Sequence, residues 1–218
     1  CRSALAEAEV EYQDKRSEAI DVRFEIADAA DLRNRFEGMR ETDSAEFFKS
    51  ILANVKFSIP IWTTTPWTLP GNQAVALNAT LQYSLVEADL GNGIEYLVVA
   101  TEMAAGIEER YGAERWKVLA GAEGAIFEGL LLRHPFLDRD VAGVLGEHVT
   151  PEAGTGAVHT APDHGVDDFN VGRANGIGTL NLVDENGVYT SGAGEFAGQH
   201  VYKVDEAIIA KLDEANAL

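Results

Sequence analysis

The order of apolar and polar residues changes its period along the chain, and each period predicts a different element. Apolar side chains alternate with polar ones over residues 6–12 and again over residues 20–26, which predicts two half-buried strands. Helical spacing follows at residues 28–36, where we expect a short helix that Gly38 ends, and again at residues 47–52.

Short strands dominate the pattern after residue 57, with a few helices between them. Strands are predicted at residues 57–62, 74–77, 83–87, 96–100 and 154–160, and around Val118, Leu131 and Val144. Hairpins are predicted across Gly91-Asn92-Gly93 and at Asn186-Gly187. Helices are predicted at residues 101–111 with Thr101 as N-cap, at 166–174 and at 204–212. This order predicts one α/β domain with a β-barrel-like, mostly antiparallel sheet core and peripheral helices.

Composition and charge narrow the function classes. Of the 218 residues, 46% are apolar and 24% are charged, which is typical of a globular protein. Thirty-six acidic residues against 17 basic ones leave a net charge of −19, so the chain lacks the cations of a general nucleic-acid binder. No apolar run approaches the ~20 residues that span a bilayer, and no signal segment opens the chain. We therefore expect a folded cytoplasmic domain with no membrane partner.

The single cysteine, Cys1, is also the first residue. One thiol excludes a disulfide scaffold and a multi-thiolate metal site. Because the chain starts with Cys rather than Met and stops after a helical pattern, we expect a piece excised from a longer protein. A mature chain trimmed at its N-terminus is the alternative.

The common catalytic signatures do not occur in the sequence. It contains no GxSxG elbow, P-loop, GxGxxG or HExxH motif. Two histidines and three acids that could bind a metal stand close together, namely His159, Asp163, His164, Asp167 and Asp168. They belong to a single loop, however, and no second ligand cluster could complete the shell, so we predict no metal site.

Residues 62–72, which we call the threonine segment, have a composition that folding alone explains poorly. Their sequence is Trp62-Thr63-Thr64-Thr65-Pro66-Trp67-Thr68-Leu69-Pro70-Gly71-Asn72. The prolines exclude a central strand, and the neutral donors and acceptors suit hydroxyls, amides and base edges. An edge strand rich in threonine is the structural alternative. No Lys or Arg occurs between Lys56 and Arg110, so we expect neutral groups to hold a ligand here.

Residues 154–169, which we call the histidine–aspartate segment, form the second unusual stretch. Glycines allow close backbone approach, and His159 ends a predicted strand before a loop that leads to Asp167 and Asp168. A carboxylate beside neutral polar groups suits a ligand with both an ammonium group and hydroxyls. Helix capping is the alternative for Asp167, and a structural role is the alternative for His159. A structural role is our prediction for His134, His148 and His200.

Together the two segments resemble the editing domain of the bacterial-type isoleucyl-tRNA synthetases. The threonine segment is similar to the threonine-rich motif of that domain, and the histidine–aspartate segment is similar to its second motif. The opening residues 1–12 resemble the segment that leads from the catalytic core into the domain. The valyl and leucyl enzymes carry Arg-Pro after their threonines, where this chain has Thr65-Pro66. The resemblance extends over residues 1–218, with 1–20 and 203–218 near the junctions with the core.

The resemblance implies hydrolysis of valine mischarged onto tRNA(Ile), with rejection of Ile-tRNA(Ile). Asp168 would bind the α-ammonium group of the substrate, and His159 would border the side-chain pocket and exclude isoleucine. Trp67 would form part of the pocket wall. The adenosine, the ester and the attacking water would be held by Thr63, Thr64, Thr65, Thr68 and Asn72. No metal or cofactor is implied in this domain, whereas ATP and zinc would be bound by the full-length synthetase outside this chain.

The partners implied are the CCA end of tRNA(Ile) carrying valine and the rest of the synthetase in cis. The acidic chain fits this if only the single-stranded end enters. Asp163 departs from the family, which often has Gly there, and its effect on His159 is open. A free-standing deacylase and a noncatalytic module that binds aminoacyl ends are the alternatives. The junction-like start argues against the first, and Asp168 argues against the second.

Overall fold

A computed structural model describes residues 18–37 and 55–218. The predicted strand at residues 6–12, the predicted helix at 47–52 and the helix end at Gly38 lie outside these ranges. The strands in the described ranges are β1 Ile20–Glu25, β2 Phe57–Thr63, β3 Ala74–Leu77, β4 Gln82–Asp89, β5 Ile94–Ala100, β6 Arg115–Glu123, β7 Leu131–Arg133, β8 Asp140–Leu145 and β9 Ala157–Thr160. The α-helices there are α1 Ala29–Glu37, α2 Ala104–Tyr111, α3 Val166–Ala174 and α4 Asp205–Glu214. Short 3-10 segments occupy Pro66–Gly71, Thr101–Met103, Gly124–Phe127, Ser191–Phe196 and Val201–Lys203.

The strands form two sheets whose core lies between them. The first sheet has the order β1-β2-β5-β4-β6, and the second has the order β7-β8-β3-β9. The β2–β5 and β3–β8 pairs are parallel, and the other strand pairs are antiparallel. The sheets meet at one edge, where Ile26 bridges Leu132 and the Ala27 amide donates to the Leu131 carbonyl at 2.9 Å. The predicted fold class is confirmed, although the described strands do not close into a complete barrel.

Sequence pattern accounts for which strands lie inside. In β1 the alternation buries Val22 and Phe24 and leaves the residues between them half-exposed. All four residues of β3 are buried, because this strand lies between β8 and β9 and is covered on both faces. The predicted bounds of β3 and α3 agree with those observed.

Three local predictions were wrong or incomplete. Thr101 does not cap α2, because it begins a 3-10 turn and its hydroxyl contacts Ser84 Oγ at 2.9 Å. The strand predicted from Gly154 begins only at Ala157, since Gly154 and Gly156 have positive φ and form a turn. A tight turn occurs at Asn186-Gly187, but only isolated bridges flank it.

The two sheets also approach each other closely at the entry into β9. The Ala100 amide donates to the Thr155 carbonyl at 2.9 Å, and the Tyr83 hydroxyl donates to the Gly156 carbonyl at 2.6 Å. A Cβ on Gly156 would lie 2.2 Å from the Ala100 Cβ. This contact sets the position of β9 against the first sheet, and therefore the position of His159 within β9.

We predict that Gly156→Ala lowers the free energy of unfolding by about 2–4 kcal/mol, because it adds a clash with Ala100 to the cost of positive φ. Gly129→Ala is the matched control, since Gly129 has a similar φ of 72° but open space around the missing Cβ. The control should lose only about 1 kcal/mol. Urea unfolding of both variants measures the difference, and equal losses would contradict the close approach.

Candidate functional site

The threonine segment leaves the first sheet at Thr63 and folds at once into a 3-10 turn. Pro66 begins this turn, where its missing N–H costs no hydrogen bond. The Thr65 amide donates to Thr63 Oγ1 at 3.1 Å, and the two hydroxyl oxygens are 3.3 Å apart. Thr63 is buried, whereas Thr64 and Thr65 are exposed. The first three threonines therefore form a short turn at the end of β2 rather than a continuation of the strand.

His159 joins the second sheet to this segment. It lies opposite Val75 of β3, and its side chain is only 8% exposed. Its Nε2 lies 2.7 Å from Thr68 Oγ1, and its Nδ1 lies 3.2 Å from Asn72 Nδ2. Both ring nitrogens are thus bonded to residues of the threonine segment.

The neighbouring carbonyl groups determine which nitrogen of His159 carries the proton. Asn72 Nδ2 also lies 2.8 Å from the Ala74 carbonyl, which can only accept, so this face of the amide is the NH2 group. Its second hydrogen then points at His159 Nδ1, which must be unprotonated. His159 Nε2 therefore carries the hydrogen and donates it to Thr68 Oγ1.

The same reasoning assigns the proton of the Thr68 hydroxyl. Thr68 Oγ1 lies 2.9 Å from the Thr65 carbonyl and donates its single hydrogen there. Because it accepts from His159 as well, one lone pair remains on the Thr68 oxygen. Thr68 can therefore offer an acceptor, but no donor, to a further group such as a water or a ribose hydroxyl.

His159 is held in its neutral form. Burial, and to a smaller extent the nearby charge of His164, lower its pKa to about 4. The hydrogen bond from Asn72 to Nδ1 also requires the neutral ring. Since a neutral imidazole offers no charge to a carboxylate or phosphate, His159 can contribute only its shape and its hydrogen bonds to binding.

Asp168 supplies the carboxylate of the histidine–aspartate segment. It lies in the first turn of α3, and its Oδ2 accepts the Ala161 amide at 3.0 Å, immediately after β9. Burial raises the pKa of Asp168, an effect that this hydrogen bond partly offsets. Gly165 leaves room for the carboxyl group, because a Cβ there would lie 3.1 Å from Asp168 Cγ.

His164 packs the loop of Asp168 against the threonine segment. Its ring stands edge-on to Trp67 with centroids 5.1 Å apart, and a Cβ on Gly71 would lie 3.3 Å from its Nε2. Trp67 is half-buried; its amide donates to Asp205 Oδ1 at 3.2 Å, and its carbonyl accepts from the Tyr189 hydroxyl. The anchors Asp205 and Tyr189 come from the last third of the chain and were not predicted.

Two further residues bond the main-chain carbonyls of the threonine segment. Neither was predicted as part of the site. His134 Nε2 lies 2.9 Å from the Leu69 carbonyl, and the Leu137 amide donates to His134 Nδ1 at 3.1 Å. Arg139 Nη2 donates to two carbonyls of the segment, those of Pro70 and Asn72. Although no Lys or Arg occurs between Lys56 and Arg110, the threonine segment does contact a cation, because the fold brings Arg139 to it.

The structure thus unites most of the predicted site residues. Thr63 and Thr65 contact each other, and Thr65, Thr68, His159 and Asn72 form one hydrogen-bonded chain. Asp168 and Trp67 adjoin this chain through Ala161 and His164. Thr64 is exposed beside it. The negative charge of Asp163 raises the pKa of His164, against the larger effect of burial.

Within residues 18–37 and 55–218, no three His, Cys, Asp or Glu side chains come together as metal ligands. In the same ranges, no helix combines the length and the apolar character needed to cross a membrane. The polar groups assembled at the site are hydroxyls, amides, neutral imidazole and carboxylate. Such a set can bind an ammonium group and hydroxyls and can orient a water molecule.

Comparison with known proteins places the chain within larger proteins. No protein-family model matches it. The isoleucine--tRNA ligase of Marinomonas sp. is 54% identical over 216 residues, which are 99% of this chain and 22% of the ligase. The isoleucine--tRNA ligases of Pseudoalteromonas atlantica and Coxiella burnetii are 50% and 44% identical over the whole chain. The chain therefore spans about a fifth of the length of these relatives.

Solved structures of leucyl-tRNA synthetase editing domains share the fold. The editing domain of the cytosolic enzyme from P. knowlesi superimposes with a TM-score of 0.69 at 8% identity, covering 96% of this chain and 99% of that one. One from P. falciparum gives a TM-score of 0.63 at 10% identity, covering 90% and 87%. At such low identity the likeness establishes the architecture alone.

We predict that His159 makes stability depend on pH. Its folded pKa lies below the unfolded value of 6.5, so its contribution is complete above pH 6.5 and is lost as the pH falls toward about 4. Between pH 7 and 4.5 the wild type should lose about 2–3 kcal/mol more than His159→Gln, because Gln does not titrate. Urea unfolding at both pH values measures this. His134 titrates in both proteins, so most of its contribution cancels, and equal losses would contradict a neutral, buried His159.

Proposed function

We propose that this chain, which belongs to the editing domains of the isoleucyl-tRNA synthetases, hydrolyses the ester of valine mischarged onto tRNA(Ile) and rejects Ile-tRNA(Ile). A pocket for isoleucine discriminates against valine by only ~1–3 kcal/mol, this amino-acid pair being the standard example of the limit. A second, smaller site must therefore remove the error. The observation that carries the proposal is the hydrogen-bonded chain of His159, Asn72 and Thr68 beside the carboxylate of Asp168.

Asp168 is the proposed acceptor for the α-ammonium group of the substrate. An ammonium requires a charged acceptor, and such hydrogen bonds are stronger than neutral ones. One carboxyl oxygen of Asp168 is anchored on the Ala161 amide, directly after the strand that carries His159. The carboxylate thus has a fixed position relative to the proposed side-chain pocket.

His159 and Trp67 are the proposed walls of that pocket. His159 is held on both nitrogens, so its ring cannot turn aside to admit a longer side chain. Trp67 is fixed through both its main-chain polar groups. Rigid walls favour rejection by size, which is what separates valine from isoleucine.

The threonines are the proposed ligands of the terminal adenosine, the ester and the attacking water, in the CCA end of tRNA(Ile). Thr63, Thr64 and Thr65 lie at the more open end of the segment, and Thr68 has one lone pair free to accept from a water. Both amide hydrogens of Asn72 are used within the protein, so its proposed contribution passes through His159 and through its own Oδ1, a buried acceptor with no partner among the described residues.

Hydrolysis of an activated ester needs a positioned water and a polarised carbonyl, and we propose no covalent nucleophile, metal or cofactor in this domain. ATP and zinc belong to the proposed full-length protein outside this chain. The rest of the synthetase is the partner in cis and would supply the phosphate contacts, because a chain of charge −19 binds tRNA weakly by itself. The proposed location is the cytoplasm.

A free-standing deacylase and a noncatalytic module that binds aminoacyl ends are the competing functions. Both are tested by incubating Val-tRNA(Ile) and Ile-tRNA(Ile) with this chain and with a full-length isoleucine--tRNA ligase in which this chain replaces the matching segment. The proposal expects release of valine in the full-length frame and little release of isoleucine. Full activity of the chain alone would favour the deacylase, and binding without hydrolysis in both frames would favour the module.

We predict that Asp168→Asn lowers single-turnover deacylation of Val-tRNA(Ile) by ~10²-fold, because it removes the charged acceptor but keeps the oxygen that accepts the Ala161 amide. Asp167→Asn is the matched control, since Asp167 is exposed in the same helical turn and carries the same charge. Unchanged deacylation by folded Asp168→Asn would remove Asp168 from the site.

We predict that His159→Ala relaxes selectivity. The space it opens should admit the extra methylene of isoleucine, whose burial is worth ~0.8 kcal/mol in addition to the relieved clash. Hydrolysis of Ile-tRNA(Ile) should therefore appear, while much of the action on Val-tRNA(Ile) remains. Loss of both activities by ~10²-fold or more would instead indicate a general base.

Parallel single-turnover assays with the two tRNAs measure this selectivity. His200→Ala serves as the control, because His200 contacts Tyr202 near α4. If folded His159→Ala keeps the wild-type preference for valine, His159 does not exclude isoleucine from the pocket.

A further inference from the structure

Arg139 makes an unusual contact for a cation in so acidic a chain. It directly precedes β8 and is half-buried, and one terminal nitrogen, Nη2, donates to the Pro70 carbonyl at 3.0 Å and to the Asn72 carbonyl at 2.5 Å. Its own main chain is fixed, because the Arg139 carbonyl accepts the His134 amide at 2.9 Å. The guanidinium therefore acts as a fixed donor behind the threonine segment.

The carbonyls that Arg139 binds need an external donor. Pro70 lies near the end of the 3-10 turn Pro66–Gly71, whose last carbonyls have no partner within the turn, and Asn72 is the extended residue that follows it. Across this end of the turn, the Asn72 amide donates to the Leu69 carbonyl at 2.9 Å. Arg139 fixes Pro70 and Asn72, while His134 fixes Leu69.

Asn72 carries this constraint to the site. Arg139 holds its main-chain carbonyl, and its side-chain amide bonds the Ala74 carbonyl and His159 Nδ1. A rotation of the Asn72 backbone would move the amide hydrogen away from His159. The ring would then lose the bond that selects its tautomer, and with it the fixed contact to Thr68.

We infer that Arg139 is a positioning residue: by clamping the end of the threonine segment, it fixes Asn72 and through it the tautomer and orientation of His159. Its effect on hydrolysis rests on the proposed function, whereas its effect on His159 does not. The competing interpretation is a purely structural arginine, whose loss would lower stability and leave His159 as it is in the folded molecules.

A conservative variant separates these interpretations. Lysine usually replaces arginine poorly where two guanidinium nitrogens bind a forked partner. Here one nitrogen makes both bonds, so the single ammonium group of Arg139→Lys can reproduce them, whereas Arg139→Met cannot. Arg133→Met is the matched control, because exposed Arg133 faces Glu25 at 3.8 Å and loses the same charge elsewhere.

The first experiment observes the imidazole nitrogens of His159 directly. Long-range proton–nitrogen NMR spectra at pH 7, assigned with His159→Gln, report which ring nitrogen is protonated. We expect the wild type, Arg139→Lys and Arg133→Met to show a single Nε2–H tautomer, and Arg139→Met to show shifted, averaged signals. A wild-type His159 spectrum in folded Arg139→Met would overturn the inference.

The second experiment measures single-turnover deacylation in the full-length frame. Arg139→Met should narrow the preference for Val-tRNA(Ile) over Ile-tRNA(Ile) by about 10-fold while much of the action on Val-tRNA(Ile) remains, and Arg139→Lys should restore the wild-type preference. If no protein in the series hydrolyses either tRNA, the proposed function fails and the NMR result still decides the role of Arg139. If Arg139→Met does not fold, Arg139→Gln replaces it, and equal behaviour of the Lys and Gln variants in both experiments overturns the inference.

Discussion

The side-chain amide of Asn72 is the point on which the geometry of the candidate site depends. One of its two hydrogens goes to the Ala74 carbonyl, which can only accept a hydrogen bond. The other goes to His159 Nδ1. This pair of bonds decides the tautomer of the ring, the direction of the Thr68 hydroxyl and the kind of hydrogen bond that Thr68 can still make. A fully buried amide thus sets the chemistry of groups that lie closer to solvent.

Neutrality is the second constraint, and the fold maintains it inside a strongly acidic chain. Burial keeps His159 uncharged and raises the pKa of Asp168, so each group is made more costly to ionise by its surroundings. The guanidinium group of Arg139 binds main-chain carbonyls. What is left toward a ligand is one carboxylate among hydroxyls and amides, an arrangement that suits an ammonium group and hydroxyls better than phosphates.

Sequence reasoning succeeded where the controlling interactions are local. The bounds of β3 followed from a short apolar run between turns, and those of α3 followed from the glycine before Val166 and the acids after it. Thr101 failed as a cap because a tertiary contact with Ser84 competes for its hydroxyl. The composition of the threonine segment identified most of the residues that meet in space, without indicating how they bond.

The residues that anchor the main chain of the threonine segment could not be predicted from the sequence. Arg139 lies 67 positions after Asn72, and neither its type nor its neighbours distinguish it from a surface arginine. Asp205 and Tyr189 likewise bind main-chain atoms of Trp67, and a main-chain partner leaves no pattern of residue types to read. Such contacts appear only when the tertiary arrangement of these segments is known.

The anchoring of Trp67 also bears on the order in which a growing chain can complete this site. A ribosome working from the N-terminus has made every predicted site residue once Asp168 is added. Trp67 gains its hydrogen-bond partners only when Tyr189 and then Asp205 have emerged. A nascent chain therefore holds every predicted site residue some forty residues before Trp67 has both of its hydrogen-bond partners, and α4, remote in sequence from those residues, completes the assembly.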